Sequence, residues 1–193
     1  MMKIFAAAAL AMTLATGAHA ATIATGGTGS TGAGGITFAD GSATTDWVGF
    51  PGAWTTAAMI EDAIWVRDGA GSSSSYKFEF DLSGYDLSTV VMSVDWAVDN
   101  SGNVTLNGSH VDTIASGGSA YSSIHSFSVG AAGSFVAGLN TLFFNQSGDN
   151  TTDGLRAAVR VTGDLSPVPL PAGGLLLISG LGAIAAMRRR RKA

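Results

Sequence analysis

An all-β fold of the β-sandwich or jelly-roll class, flanked by an N-terminal signal peptide and a C-terminal single transmembrane helix, is predicted by three features of this 193-residue chain. Segments at 76–82, 90–98 and 155–162 alternate apolar and polar residues with period two, the pattern of strands with one buried face. Charged residues make up only 12% of the chain while glycine occurs 27 times, so the surface is built from Gly, Ser, Thr and Asn, which favours strands and turns over helices. The two ends differ from the middle and read as targeting segments.

At the start, Lys3 precedes an apolar run over 4–15, and the small residues Ala18 and Ala20 stand three and one before a cut after Ala20. A positive tip, a short hydrophobic run and such small residues make a signal peptide, read by a Sec-type export machinery and signal peptidase. Residues 1–20 are therefore assigned to the leader. Residues 21–165 are the β-domain, with a flexible Gly/Thr-rich start at 21–35, and residues 166–193 are the tail.

In the tail, Pro167, Pro169 and Pro171 exclude a helix, because each removes a donor and restricts its predecessor. An apolar segment follows, with a helix expected over about 172–187. At about 1.5 Å per residue it is slightly short of a hydrocarbon core of about 30 Å, which local thinning and snorkelling accommodate. The cations Arg188, Arg189, Arg190, Arg191 and Lys192 then hold the C-terminus in the cytoplasm and leave the β-domain outside. The run Val168, Pro169, Leu170, Pro171, Ala172, the Gly/Leu-rich helix and the terminal Arg cluster resemble the VPLPA variant of the PEP-CTERM sorting domain of Gram-negative bacteria that make exopolysaccharide. The resemblance implies processing by an exosortase, with the tail as substrate. The expected route is an inner-membrane-anchored precursor, then the cell surface or extracellular matrix.

In the middle, Tyr76, Phe78, Phe80 and Leu82 share one face of a strand, and Val90, Met92, Val94, Trp96 and Val98 share one face of another. Leu155, Ala157, Val159 and Val161 do the same near the end. Residues 99–102 read as a turn, 103–106 as a short strand, and Asn107-Gly108 as a tight hairpin turn. Segments at 122–129 and 139–145, with weaker ones around Ile36, Trp47 and Ile64, bring the expectation to about eight strands. Trp96 to Asn100, Val104 to Gly108, Phe127 to Val129, Gly138 to Leu142 and Gly154 to Arg156 resemble, in order, the galactose-binding-like jelly roll, over residues 76–163. That resemblance implies a fold used by sugar-binding accessory domains of glycosidases and by many PEP-CTERM proteins.

The chemistry is read mostly by exclusion. Between the ends only Arg67, Lys77, Arg156 and Arg160 face all 14 acidic residues, which excludes nucleic acid as a partner. The absence of cysteine removes disulfides, thiolate metal sites and thiol nucleophiles. Gly27, Gly29 and Gly32 match a dinucleotide-binding spacing, but no strand-to-helix context surrounds them, and no cofactor is expected. No Gly-x-Ser-x-Gly elbow is present, and only His110 and His125 survive processing, so no enzyme activity is expected. Asp99, Asn100 and Asn103, and separately Asp149, Asn150 and Asp153, offer oxygens suited to calcium, although Asp and Asn also favour turns. Trp47, Trp54 and Trp65 fall near loops of small residues, where an indole can stack on a sugar; packing is the competing reading.

The expectation is thus an exported, exosortase-processed envelope or matrix protein, non-enzymatic, whose sandwich binds carbohydrate, in particular exopolysaccharide. The alternative is a structural adhesion or biofilm protein without a defined ligand; a secreted glycan hydrolase ranks last. Two processing outcomes follow. N-terminal sequencing of the exported protein should read from Ala21, and retention of Met1 would contradict the leader. Replacing Pro169 and Pro171 together with Ala lets the helix extend through the spacer, so unprocessed precursor should accumulate on immunoblots of the native host; processing at the normal rate would contradict the sorting role.

Overall fold

The computed structural model of the chain describes residues 20–29, 35–44, 46–47, 49–67, 73–130, 135–149, 152–167, 181–182 and 187–188. The leader through residue 19 with Ala18, the sorting residues Val168, Pro169, Leu170, Pro171 and Ala172, and Arg189, Arg190, Arg191 and Lys192 lie outside the described residues, as does most of the expected helix at 172–187. Among the described residues no helix is long and apolar enough to cross a membrane.

Among the described residues nine strands run in the order β1 (Ala21–Gly27), β2 (Thr37–Phe38), β3 (Ser73–Asp81), β4 (Val91–Asp99), β5 (Ser101–Leu106), β6 (Ser109–Ile114), β7 (His125–Val129), β8 (Leu139–Ser147) and β9 (Gly154–Gly163), with a short helix α1 (Gly118–Ser122) before β7. They form two antiparallel sheets, ordered β1-β9-β4-β7 and β2-β3-β8-β5-β6. Chain neighbours β4 and β5 belong to different sheets, so the expected turn at 99–102 is a crossing between layers rather than a hairpin. Asn107-Gly108 does close the β5–β6 hairpin, with φ of 50° and 82°, the doubly positive geometry that tight hairpins need.

The inward faces are those that alternation selects. Tyr76, Phe78 and Phe80 of β3, Leu142 and Phe144 of β8, and Val104 and Leu106 of β5 meet Met92, Val94, Trp96 and Val98 of β4 and Val159 and Val161 of β9 in one buried cluster. Trp96 spans the layers, its ring 5.9 Å from that of Phe144 and its Nε1 donating to Asp112 Oδ2 at 2.8 Å. Gly102 is required beneath it, since a Cβ there would come within 3.1 Å of the indole and 2.9 Å of the Asn145 carbonyl oxygen. Burying the indole while satisfying its N–H makes this a costly core side chain to remove, about 3–5 kcal/mol for truncation to Ala.

Two expectations need correction. The start at 21–35, read as flexible, contributes β1, which pairs with β9 from Ala21↔Gly163 to Gly27↔Ala158. Backbone pairing supplies the order that its side-chain pattern does not announce. The segments around Trp47 and Ile64, read as weak strands, contain only isolated bridges such as Asp46↔Val66 and Val66↔Leu155.

They belong instead to a strap laid over the outer face of the four-stranded sheet. Arg156 of β9 donates from Nε to the Ala63 carbonyl at 3.0 Å and from Nη1 to those of Ala57 and Thr55 at 2.8 and 3.3 Å. Arg160, two residues on and on the same face, pairs with Glu61 at 2.7 Å and donates to the Ile60 carbonyl at 2.8 Å. From β4, Asp95 accepts the Ile60 amide at 2.8 Å and the Ser126 hydroxyl at 2.6 Å. The strap has no ladder of its own, so several of its backbone groups are satisfied by strand side chains. Replacing Arg156 with Ala should lower unfolding free energy by about 2–3 kcal/mol, the worth of hydrogen bonds to a charged group, and open residues 55–63 to limited proteolysis before the sandwich. Protease resistance equal to that of the parent protein would contradict the strap's dependence on Arg156.

Candidate functional site

The strap gathers the three tryptophans that the sequence leaves apart. Trp54 and Trp65 stack with ring centres 4.2 Å apart, and Trp47 meets Trp54 edge-on at 4.9 Å. Phe50 and Tyr121 of α1 complete the cluster, each centred 6.3–6.4 Å from Trp54. Its floor is Ala97 of β4 and Gly154 of β9, where a Cβ would press to 2.8 Å against the Trp54 ring. Backbone anchors fix the ends: Thr55 N donates to the Tyr121 carbonyl at 2.8 Å, and Val66 exchanges two 2.9 Å bonds with Leu155.

Burial decides what these rings can do. Trp65 is 1% exposed, with Nε1 donating to the Thr55 carbonyl at 2.9 Å, and Trp54 is 4% exposed. Neither offers a face to a sugar; they fill the space between strap and sheet, and for them packing prevails because two indoles over Ala and Gly bury more apolar area than any smaller pair would. Trp47 is half-buried, with the guanidinium of exposed Arg67 4.5 Å from its ring centre. The rim available to a ligand is therefore Trp47 with the half-buried Phe50 and Tyr121, and Arg67 as donor. Sequence reading missed Phe50, Tyr121 and Arg67. The signal for the cluster was the presence of the small residues Ala97 and Gly154 on outward positions of neighbouring strands, which marks a surface meant to be covered.

Beside Trp54 lies an acidic pocket. Asp99 ends β4 on the same outward parity as Asp95 and Ala97 and is 5% exposed. Burial, then the charges of Asp153 and Asp149, push its carboxyl up to about 6, with the Trp54 side chain opposing the rise as hydrogen-bond donor. Its Oδ1 is buried without a hydrogen-bond partner. Asp153 Oδ1 accepts the Asp149 amide at 3.0 Å, in a space that Gly148 leaves free by lacking a Cβ. The structure thus joins two acidic turns that the sequence lists separately.

It separates others. Asn103, expected beside Asp99 and Asn100 as a calcium ligand, points outward from the five-stranded sheet and accepts from Asn145 Nδ2 at 3.1 Å. The crossing at Asn100 puts Asp99 and Asn103 on outer faces of opposite sheets, so the set Asp99, Asn100, Asn103 does not converge. Asn150 lies outside the described residues. The carboxylates of Asp99, Asp149 and Asp153 are the right donors for a hard cation, and an unpartnered buried oxygen is where one would act. Among the described residues, however, no group of three or more such side chains stands in ligating positions. Calcium would have to draw the three acids together.

This arrangement gives a pH dependence of known sign. Asp99 holds its proton more tightly folded than unfolded, so stability is highest where both states are protonated and falls as pH rises from about 4 to about 6. Asp40, Asp81 and Asp86, held low by side-chain hydrogen bonds from Ser42, Ser83 and Ser88, act oppositely, and their contribution is lost only as pH falls below the ordinary carboxyl value of 3.8. Thermal melts across pH 4–7 should therefore show Tm falling through this window, and Asp99→Asn should flatten the fall and raise Tm at pH 7. An Asp99→Asn profile parallel to the parent's would contradict the burial of the charge.

No family model and no curated protein matches the chain. Among solved structures, it is similar to the CBM35 from Paenibacillus barcinonensis, at 19% identity and a TM-score of 0.40, over 72% of this chain and 98% of that one. A family 35 carbohydrate binding module from an environmental isolate aligns at 16% identity and a TM-score of 0.40, over 73% and 96%. The CBM36-1 domain of a multidomain xylanase from the hindgut metagenome of Trinervitermes trinervoides aligns at 12% and 0.33, over 50% and 76%. Likeness of this degree assigns no ligand to this chain.

Proposed function

We propose that this chain is an exported cell-envelope or extracellular-matrix protein, sorted through its C-terminal tail by an exosortase, whose β-sandwich binds carbohydrate without acting on it. The observation that carries the carbohydrate reading is the rim of Trp47, Phe50 and Tyr121, half-exposed rings set on a rigid floor of buried indoles. A sugar presents polarised C–H groups to an aromatic face and hydroxyls to donors beside it, and Trp47 with Arg67 supplies both. Holding the rings on Trp54 and Trp65 before the ligand arrives lowers the ordering cost of binding.

Export and sorting rest on the leader ending at Ala18 and Ala20, on the motif Val168 to Ala172 and on the basic end at Arg188 to Lys192. The alternative, an adhesion or biofilm protein without a defined ligand, would use the same route. The full chain should be retained saturably on exopolysaccharide purified from its own host, and Trp47→Ala should weaken that retention about tenfold, some 1.4 kcal/mol, with Tm little changed. Absence of saturable retention by the parent protein would overturn the carbohydrate reading in favour of the adhesion one.

A further inference from the structure

The two outer faces of the sandwich are treated differently. The strap covers that of the four-stranded sheet, whereas outward side chains of β3, β8, β5 and β6 stand half or fully exposed. Alternation sorts them into rows across the strands. Ser75, Asn145, Asn103 and Thr113 are successive register partners. Ser75 Oγ donates to Asn145 Oδ1 at 2.9 Å, and Asn145 Nδ2 donates to Asn103 Oδ1 at 3.1 Å. The adjacent row is Lys77, Phe143, Thr105 and His110. The asparagine row runs from a groove of about 350 Å³ at Ser73 and Ser75 into one of about 470 Å³ at Asn103, Asn145, His110 and Thr113. Three strand spacings of about 4.8 Å make it about 14 Å long.

Two properties of this surface point to its ligand. It presents mainly neutral hydroxyls and amides: Lys77 is paired with Glu79 at 3.2 Å, Asp40 at the smaller groove is engaged by Ser42, and no other Lys, Arg, Asp or Glu belongs to the two rows. Nucleic acid and anionic polymers find no cationic track there. Phe143, in the middle of the face, lies outside both hydrophobic clusters although its strand neighbours Leu142 and Phe144 are wholly buried. An aromatic ring without a core role, beside a fixed amide ladder, matches one face and one edge of a sugar.

We propose that the outer face of the five-stranded sheet is a second carbohydrate site, taking an uncharged glycan chain laid across β3, β8, β5 and β6. Phe143 lies under a sugar ring, and the Asn145 and Asn103 amides hold its hydroxyls. The inference shares with the reading above only the class of ligand, because Trp47 belongs to the opposite sheet's cover.

Affinity electrophoresis of the full chain in mild detergent, through gels containing hydroxyethylcellulose, galactomannan or alginate, tests it with the variants F143A, N103R and W47A. Retardation is expected in at least one uncharged gel, unaffected by salt, with affinity reduced about tenfold by F143A and by N103R. Asn103 is exposed, so N103R with an unchanged Tm carries the test should F143A unfold. Retardation abolished by W47A alone, with F143A and N103R like the parent protein, would overturn this site and leave the Trp47 reading standing. Retardation only in alginate, lost with salt, would overturn it too, as would retardation in no gel, with the Trp47 reading then decided by retention on the host exopolysaccharide.

Discussion

A single buried cation organises one side of this molecule. Arg156 stands on an outward position of a central strand, where water would normally take its guanidinium, yet it is 9% exposed and bonded to three backbone carbonyls of the strap. Among the described residues no carboxylate pairs with it. The carbonyls need donors because an irregular segment has no ladder, and the guanidinium, with donors in a fixed fork, needs acceptors once covered; each meets the other's requirement. A lysine in its place would supply a point charge without that geometry.

From this clamp the rest of that face follows. Closing the strap creates a second small core of Trp54, Trp65 and Ala97, and this core in turn removes Asp99 from water beside Asp149 and Asp153. Burial and the charges of Asp153 and Asp149 raise the carboxyl's affinity for its proton, and Trp54 of the strap opposes that rise. A proton satisfies the site near pH 6 and below. The half-exposed ring of Trp47 is likewise set by indoles that the strap has buried. By covering one sheet with its own chain, the molecule leaves the five-stranded sheet as the open one.

Strands β3, β4 and β9 were legible because their apolar residues recur every second position, and the Asn107-Gly108 turn because positive φ at two successive residues selects those types. Strand β1 was not, since Ala-Thr-Ile-Ala-Thr-Gly-Gly has no sided pattern and its order comes from the backbone of β9. Strand β6 was hidden by the register shift at Val104/Thr105, which breaks the alternation of Ser109–Ile114. At the candidate site the residue types were legible and their company was not: Trp54 rests on Gly154, a hundred positions away, and Arg156 and Arg160 read as an ordinary solvent face. The separation of Asn103 from Asp99 depends on one crossing between sheets that a turn-rich sequence does not distinguish from a hairpin.

The central claim, one face closed by the strap and the other left open for glycan, is tested most directly by hydroxyl-radical footprinting of the full chain with mass-spectrometric readout. The account requires Trp54 and Trp65 to remain unmodified while Trp47, Phe143 and His110 are oxidised, with an uncharged polysaccharide that the protein retains then shielding Phe143 and His110. Oxidation of Trp54 and Trp65 as fast as Trp47, or shielding that falls on residues 55–63 and spares Phe143 and His110, would contradict it.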